Sequence, residues 1–549
     1  MIRHVIKSND LRYNRVLENT VLRPWTGNSN SIYFDKDNIQ RHINNLDKVL
    51  WIINAGNNIG VTHDGFFNSS SNESANNYSV LAVTQPINHT FFGDPTFYED
   101  YKVQAAFYAG AMANAIASEE MVISLGKAGY MGSFGAAGLS IKRLEDAINA
   151  IKSSLPQGPY AFNLIHNPFD HAMEQKVVDI YLKNDITVIE AAAFLNLTSN
   201  IVAYKVSGLN CDENGNIISR NRIIAKISRK EVAAQFMIPA PDNLLSDLIS
   251  QGRITKQQAN LAKTVPVVDD ITVEADSGGH TDNRPLVTLV PSIIALRNEL
   301  QEKYKFTKPV RVGAGGGIST PESALAAYML GAAYIVTGSI NHPCNESGTC
   351  KHTKDLLSQA DMSDVTMAPS ADMFEMGVKV QVLKKGTLFP MRAQKLYDLY
   401  ITYNSIDEIP VFEKEKLESK IFQCSLESVW EETISFFSDR DPGQIQRANQ
   451  NPKLKMALIF RWYLGLSSRW STNGEIGREM DYQIWCGPSM GSFNDWARGT
   501  YLEKPENRYV ADITAHILRG CAYRYRIQNL QLQGIHLPSY MQYYKPQNS

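Results

Sequence analysis

The sequence predicts an α/β protein built on a closed (βα)8 barrel, with a small domain before the barrel and a mostly helical insertion after it. Short apolar segments alternate with amphipathic helical patterns between residues 103 and 339. The last two apolar segments each end in a glycine turn, at the place where many barrels bind a phosphate group. An open doubly wound sheet is the alternative, because it shows the same alternation.

The predicted barrel strands are eight in number, which is the count that a closed parallel barrel requires. They lie near residues 104–110, 130–135, 160–165, 186–190, 222–227, 271–275, 310–314 and 334–338. Amphipathic helical patterns occur between them, for example at residues 141–155, 170–183 and 287–304. We therefore assign residues 86–341 to the barrel.

The remaining segments differ from the barrel in their patterns. Residues 1–85 are expected to form a small N-terminal domain, in which the Ser/Asn-rich tract 68–77 is typical of a solvated loop. Residues 342–482 are mostly helical, so we expect an inserted substrate or lid domain there. Residues 483–549 contain a helical pattern at 510–527 whose apolar stripe favours a return to the barrel.

Composition excludes several classes of protein. A chain of 549 residues exceeds a single hydrophobic core, so two or three domains are expected. The formal net charge of -2 provides no basic footprint for nucleic acid. No apolar run approaches the roughly 18 residues that a transmembrane helix needs, so we expect no membrane partner and a cytoplasmic location. The six cysteines are too few for a disulfide framework in a chain of this length.

The turn after the seventh predicted strand is a candidate phosphate site. The strand enters Gly315, Gly316 and Gly317, and a helix opens directly afterwards. Glycine lets backbone N–H groups approach an anion closely, and a helix N-terminus adds partial positive charge. A dinucleotide fingerprint would need a glycine at Ile318, and no G-K-[ST] motif follows. Tight barrel turns without a ligand remain the alternative.

Other strand ends carry groups that suit a flat, hydrogen-bonding ring. Residues 109–114 are mostly small and could face such a ring closely. Asn163 offers both a donor and an acceptor at the end of the third strand. Lys226 places a cation in the otherwise apolar fifth strand, although a surface lysine at a strand edge would look the same.

His280 is the sharpest candidate for chemistry. It follows Gly278 and Gly279 after the sixth strand, where an imidazole could exchange a proton near neutral pH. A hydrogen-bonded turn histidine is the alternative. Cys486 has no neighbouring histidine or carboxylate in sequence, which favours an inert thiol. The cluster H-x-C-x5-C-x-H at 342–352 lacks the usual spacing of a zinc site, so no metal is predicted.

These motifs resemble a known superfamily. The order A-G-A-M-A, A-F-N, G-G-H, G-A-G-G-G-I-S and G-A-A-Y-I-V-T-G-S is similar to the FMN-binding TIM barrels of nitronate monooxygenases and flavin-dependent enoyl-ACP reductases. Longer stretches, among them A-D-S-G-G-H-T-D-N-R-P, A-P-S-A-D-M-F-E-M-G-V-K-V-Q-V-L-K-K-G-T-L-F and D-Y-Q-I-W-C-G-P-S-M-G-S-F-N, resemble the PfaD family. Members of that family are trans-acting enoyl reductases of polyunsaturated fatty acid and trans-acyltransferase polyketide synthases. The resemblance covers roughly residues 80–530.

The resemblance implies an oxidoreductase with FMN and NADPH as cofactors and an acyl carrier protein as partner. The reaction would reduce the α,β double bond of a carrier-bound acyl chain. The implied site residues are His280 as the catalytic residue and, for the flavin, Gly110, Met112, Asn163, Lys226, Gly278, Gly279, Gly315, Gly316, Gly317, Gly338 and Ser339. The sequence after Ser339 departs from the family pattern. A homodimer is left open.

Two alternative functions are kept. A nitronate monooxygenase-like enzyme would oxidise its substrate with oxygen, and a catalytically silent docking subunit would need no flavin. For an active enzyme, the insertion offers a basic patch that could dock an acidic carrier protein. This predicted docking patch comprises Lys379, Lys384, Lys385, Arg392 and Lys395.

Overall fold

The computed structural model describes residues 4–7, 11–15, 23–56, 58–67, 78–166, 171–438 and 441–548. The predicted loop tract 68–77 lies outside these residues. The chain forms two compact units, each considered by itself below. The first comprises Met1–Phe92, Thr320–Met329 and Asp512–Ser549, and the second comprises Gly93–Ser319 and Leu330–Ala511.

The second unit contains a closed barrel of eight parallel strands, which confirms the predicted fold class. In chain order the strands are β1 (Phe107–Ala109), β2 (Met131–Phe134), β3 (Ala161–Ile165), β4 (Val188–Ala192), β5 (Arg222–Ile227), β6 (Asp270–Glu274), β7 (Arg311–Gly315) and β8 (Ile335–Thr337). Each strand pairs with the next, and β8 pairs with β1 to close the barrel. Each overlaps one of the eight predicted segments.

Helices follow the barrel strands as the amphipathic patterns predict. They are Glu119–Lys127, Ile141–Ser154, His171–Lys183, Ser199–Ser207, Lys230–Phe236, Asp242–Ser250, Lys256–Ala262, Leu286–Tyr304 and Pro321–Met329, with Pro95–Tyr101 preceding β1. Side-chain caps begin several of them, as where the Ser140 hydroxyl accepts from the Arg143 N–H. A two-stranded hairpin, Leu209–Cys211 with Ile217–Ser219, extends between β4 and β5.

The barrel interior is packed rather than open. The hydroxyl of Thr272 on β6 hydrogen-bonds to the hydroxyls of Tyr108 and Tyr334, each at 3.0 Å. At the amino-terminal ends of β6 and β7, the guanidinium of Arg311 donates to both carboxylate oxygens of Asp270, at 2.7 and 2.9 Å. Both members of this ion pair are buried. These contacts stabilise the barrel and leave its carboxyl-terminal end for a site.

The segment after β8 is largely helical, but it also holds two strands that the sequence pattern did not reveal. Its helices are Lys351–Ser358, Phe389–Thr402, Val411–Lys416, Leu417–Phe422, Leu426–Ser438, Pro442–Gln450, Pro452–Asn473 and Ser489–Ala497. The strands Val365–Pro369 and Lys379–Leu383 pair with each other, and the second also pairs with the short strand Gly279–His280. We name this small antiparallel sheet the mouth sheet, because it joins the insertion to the loop after β6.

The described residues of the first unit form two antiparallel sheets. One has five strands in the order Asn58–Thr62, Leu50–Ala55, Tyr78–Thr84, Arg23–Thr26 and Phe66–Phe67, and the other pairs His4–Lys7, Arg12–Arg15 and Ile535–His536. The last long helix, Val510–Leu532, carries Arg526, whose guanidinium donates to the carbonyl oxygens of Asn45 and Lys48 at 2.7 and 2.8 Å. Residues 512–549 thus share a compact unit with the N-terminal residues. Within the described residues, no helix combines the length and apolarity needed to cross a bilayer.

Candidate active site

Two adjoining cavities lie at the carboxyl ends of the barrel strands. The larger has a volume of about 790 Å³ and the smaller about 90 Å³. The residues that line both, and so mark their junction, are Ala111, Met112, Lys226, Glu274, Gly278 and Trp485. Every site residue expected from the sequence lines one cavity or both. The structure therefore brings all of them together at the predicted end of the barrel.

Glycine turns form the smaller cavity. Gly316 and Gly317 follow β7 with φ angles of +87° and +74°, which favour glycine. A Cβ on Gly316 would lie 2.7 Å from the backbone of Ala275, whereas a Cβ on Gly317 or Gly338 would meet nothing within 4 Å. The open space beside Gly317 and Gly338 is therefore accessible to a ligand. Gly110 and Gly315 line the same cavity.

Polar groups around the smaller cavity suit an anion. Ser277 lines it, and its buried hydroxyl has no hydrogen-bond partner among the described residues. A buried unpaired hydroxyl is costly unless a ligand or water satisfies it. The Ser339 hydroxyl accepts the N–H of Gly487 at 3.0 Å, which leaves its own proton for an acceptor. A phosphate group would satisfy both hydroxyls, so these residues fit the predicted phosphate.

Lys226 lies at the junction of the two cavities and forms ion pairs with two carboxylates. Its ammonium lies 2.9 Å from the Glu274 carboxylate and 3.6 Å from that of Glu190. Burial acts to lower the pKa of Lys226, but Glu274 and Glu190 outweigh it, and the pKa lies above its usual value. Glu190 also accepts the N–H of Ala111 at 2.9 Å. Lys226 is therefore a charged group at the barrel mouth, not a surface lysine at a strand edge.

Met112 lines both cavities, and Asn163 lines the larger one. Asn163 is buried on β3, and its amide donates to the Glu190 carbonyl oxygen at 3.0 Å. Met112 follows β1, where the N–H of Gly110 donates to the Thr337 carbonyl at 2.9 Å and holds the loop against β8. This loop packs closely, because a Cβ on Gly135 would lie 1.7 Å from the Met112 carbonyl oxygen. Backbone and a long apolar side chain thus face the cavities.

His280 lies in the mouth sheet and lines the larger cavity. Its Nε2 lies 3.1 Å from an Asp372 carboxylate oxygen and 3.3 Å from the Ser370 hydroxyl. The Ser370 hydroxyl donates to the same oxygen of Asp372. The side chains of His280 and Asp372 are 32% and 31% exposed, so both remain accessible from the cavity.

The pair shifts the protonation of both groups. Burial acts to lower the pKa of His280, but the charge and hydrogen bond of Asp372 outweigh it, and the pKa lies above its usual value. Burial acts in the opposite sense on Asp372, yet His280 and Ser370 hold the pKa of Asp372 below its usual value. His280 is thus suited to carry a proton near neutral pH and to release it to a substrate.

A second histidine–carboxylate pair lies beside the same cavity, and its histidine is part of the cavity lining. His166 directly follows β3, and its Nδ1 lies 2.7 Å from the buried Glu174 carboxylate. The other oxygen of Glu174 accepts the hydroxyl of Thr198. His171 lies close enough for one ligand atom from each of His166, His171 and Glu174 to fall within 4.8 Å of the others. Both carboxylate oxygens already accept hydrogen bonds, so we interpret this group as an internal pair.

Cys486 and His342, which lie near the cavities, have the surroundings of inert, hydrogen-bonded groups. Cys486 is buried, and burial raises the pKa of its thiol to about 12, which agrees with the inert thiol expected from the sequence. Its backbone packs tightly against Gly278, where an added Cβ would lie 2.8 Å from the Cys486 nitrogen. His342 has its ring nitrogens at 3.2 Å from the Trp485 carbonyl oxygen and the Thr349 hydroxyl.

The insertion supplies an apolar wall to the larger cavity. Its contributing side chains include Met373, Met376, Phe436, Phe437, Leu458, Trp462 and Leu464. Side chains of this kind bind hydrocarbon and exclude water. The larger cavity is therefore suited to an extended apolar substrate next to His280.

The polar residues of the site that were not predicted from the sequence include Glu190, Ser277, Ser370 and Asp372. Glu190 stands alone in an apolar strand, which is a detectable signal, because a charge inside a barrel strand needs a partner. Asp372 lies 92 residues from His280 in the chain. Only the pairing of the mouth sheet brings these two residues together, and no local pattern announces it.

Comparisons with known proteins agree with the motifs. The family model of the fatty acid synthase PfaD N-terminal domain matches residues 25–86, and that of the inserted helical domain of acyl-carrier-protein S-malonyltransferase matches residues 403–482. A component of the polyunsaturated fatty acid synthase of Thraustochytrium sp. is 51% identical over 456 residues, which cover 82% of this chain and 30% of that protein. The polyketide biosynthesis protein PksE from Bacillus subtilis is 46% identical over 449 residues, covering 82% of this chain and 58% of that protein. The chain thus spans less than two thirds of the length of these relatives.

A solved structure matches over most of the chain. The enoyl reductase domain of MlnA, from the macrolactin biosynthesis cluster of Bacillus amyloliquefaciens, superposes with a TM-score of 0.77 at 40% identity. The match covers 81% of this chain and 99% of that domain. Sequence and structure agree, and the chain belongs to the PfaD-like family.

Proposed function

We propose that this chain is an enoyl reductase that uses FMN and NADPH and acts in trans on α,β-unsaturated acyl chains carried by an acyl carrier protein. One observation carries the proposal: a glycine-lined cavity suited to a phosphate and a histidine–carboxylate pair open onto one apolar cavity. The likeness to the enoyl reductase domain of MlnA and to components of fatty acid and polyketide synthases supports the same reaction class.

The residues present fit FMN. The backbone of Gly316, Gly317 and Gly338 and the hydroxyls of Ser277 and Ser339 would hold its single phosphate. The smaller cavity, at about 90 Å³, has room for a compact anion rather than a dinucleotide. The junction residues, with Asn163 and Gly279 beside them, would hold the flavin ring.

The protein groups divide the remaining work. When bound, FMN would supply the two-electron chemistry that links NADPH to the β-carbon of the enoyl thioester. His280 donates a proton to the α-carbon, so the double bond gains one hydride and one proton in total. The apolar wall of the insertion binds the acyl chain and keeps water from the reacting atoms.

Anaerobic titration tests the proposed function. The purified protein is expected to contain FMN, and its flavin absorbance should bleach when NADPH is added without oxygen. A trans-2-enoyl thioester added afterwards should restore the absorbance, because it accepts the hydride and a proton. Mass spectrometry should then find the saturated thioester.

Each other outcome favours a different function. Flavin that resists NADPH but is reduced by a nitronate would favour a monooxygenase. A protein without flavin, under conditions in which it is folded, would favour a silent docking protein. Reduction by NADPH without reoxidation by any enoyl thioester would contradict the proposed substrate.

The residues of the predicted docking patch differ in their ion-pair partners. Arg392 forms an ion pair with Asp481, and Lys395 lies 2.7 Å from Glu413. Lys385 pairs with Asp364 at 3.4 Å but remains partly exposed. The other two, Lys379 and Lys384, are exposed and have no ion-pair partner among the described residues, and Lys379 lines the larger cavity. We propose that a carrier protein docks at Lys384 and Lys385, which directly follow the strand Lys379–Leu383, whose first residues line the larger cavity.

Charge reversal at Lys384 and Lys385 is expected to slow turnover of a carrier-bound enoyl chain at low salt while sparing a small thioester. Repulsion would reduce the association rate, and salt would diminish the difference by screening. The matched control reverses Lys142 and Lys176, two exposed lysines on barrel helices. Steady-state kinetics with both substrates at two ionic strengths measures the effect. Equal losses on both substrates, or in both variants, would contradict docking at this patch.

A further inference from the structure

His280 and Asp372 are held together by backbone pairing rather than by a flexible contact. In the mouth sheet, Gly279 lies opposite Gln381 and His280 lies opposite Val380. Asp372 belongs to the connection between the other two strands, Val365–Pro369 and Lys379–Leu383. The loop after β6 and the insertion are therefore in fixed register where the two side chains meet.

The Asp372 carboxylate is held in place by contacts other than the one to the His280 imidazole. The Ser370 hydroxyl donates to the Asp372 oxygen that lies 3.1 Å from His280 Nε2. The N–H of Ser370 donates to the Val378 carbonyl oxygen at 2.9 Å, which closes the connection between the two strands. A carboxylate held in this way can fix the rotation of a ring and favour its charged form.

We infer that Asp372 is the positioning residue of the proton donor: it orients the His280 ring and stabilises its protonated form. The inference rests on the proposed function, in which His280 donates a proton to the α-carbon. The inference further means that two segments together form the proton donor, because His280 lies in the loop after β6 and Asp372 lies in the insertion. Without the insertion, the His280 ring would bind its proton more weakly.

Other charges near His280 act in both directions. They come from β5, β6, the loop after β6 and the edge of the mouth sheet, and they are Lys226, Glu274, the pair Arg229–Asp282 and Lys379. Glu274 favours the protonated ring, whereas Lys226 opposes it. Asp372 has the larger effect because it alone among these described charges is hydrogen-bonded to the ring. The raised pKa of His280 agrees with this balance.

The substitution Asp372→Asn tests the inference, since it keeps the shape and removes the charge. Losing an opposite charge at this distance should lower the pKa of His280 by about 1 to 3 units. A protonated donor acts below its pKa and is lost above it. As pH rises, the rate of the oxidative half-reaction should therefore begin to fall at a lower pH in the variant than in the wild type. At neutral pH it should be slower by about tenfold or more, and it should recover at acidic pH.

Two measurements on the flavin-containing full chain check this expectation. Stopped-flow absorbance follows reoxidation by the enoyl thioester across pH. NMR of protein labelled with ¹³C at histidine Cε1 follows the His280 resonance, which is assigned by its absence in His280→Gln. The matched control is Glu375→Gln. It makes the same kind of change three residues away, at a carboxylate paired with Arg461 at 3.1 Å rather than with His280.

The outcomes separate the inference from the proposed function. The inference is supported if Asp372→Asn lowers the His280 pKa measured by NMR and shifts the pH profile of the reoxidation rate. Glu375→Gln should then behave like the wild type, and Asp372→Glu should recover part of the wild-type pKa and rate. An unchanged His280 pKa, or a rate lowered equally at every pH, would overturn it and leave Asp372 a structural residue. If the wild type reduces no enoyl thioester, the proposed function fails, and the NMR titration still decides whether Asp372 controls His280.

Discussion

Replacing His280 with alanine is expected to slow reoxidation of the reduced flavin by an enoyl thioester by about 100- to 10,000-fold, the usual contribution of a positioned general acid. Reduction by NADPH should be unchanged, because that hydride transfer needs no proton at the substrate α-carbon. Reaction with oxygen should persist for the same reason. Stopped-flow absorbance of the two half-reactions measures the effects separately.

The flavin content of His280→Ala provides the control. Gly279–His280 pairs with Lys379–Leu383 through backbone hydrogen bonds, which an alanine retains, so FMN should stay bound. A variant that loses its flavin would show that His280 is a structural turn residue. A variant that slows in both half-reactions alike would show a role in ligand binding instead of proton donation.

Replacing Gly316 with aspartate is expected to yield protein without flavin. The new Cβ would lie 2.7 Å from the backbone of Ala275, at a φ of +87° that other residues rarely adopt. The new carboxylate would also repel a phosphate in the smaller cavity. Absorbance of the purified protein and release of flavin on denaturation measure its content directly.

The matched control for Gly316→Asp is Gly215→Asp. Gly215 has a φ of +80°, but it lies in the exposed hairpin between β4 and β5 and a Cβ there would meet nothing within 4 Å. This variant should keep its FMN, since it shares the positive φ but lies away from both cavities and lacks the close contact that a Cβ on Gly316 would make with Ala275. Retention of FMN by Gly316→Asp, or recovery of FAD from the wild type, would contradict the proposed phosphate site.

Local patterns predicted the barrel because its signals are local. A strand such as β4 reads as a short apolar segment, and the helix Ile141–Ser154 reads as an amphipathic period. A chain in which such strands and helices alternate can adopt few topologies, because crossovers between parallel strands are right-handed. The glycines after β7 were equally readable, because a positive φ restricts the residue type at one position. The predicted domain boundaries and a homodimer remain predictions.

Contacts between distant segments were decided only by the tertiary structure. The mouth sheet was not predicted, because its strands Val365–Pro369 and Lys379–Leu383 stand outside the regular strand–helix alternation and pair with the distant segment Gly279–His280. Two lysines of the predicted docking patch likewise differ in their contacts. Lys395 pairs with Glu413, whereas Lys384 is exposed to solvent.

The sequence by itself determined the fold class, the family, and the residues expected at the carboxyl end of the barrel. The tertiary structure decided which carboxylate lies beside His280 and which lie beside Lys226. The physical reason is that a charge interaction depends on distance in space, and the path of the chain sets that distance. Asp372 and His280 are 92 residues apart along the chain and 3.1 Å apart in the fold, because backbone hydrogen bonds in the mouth sheet join their segments.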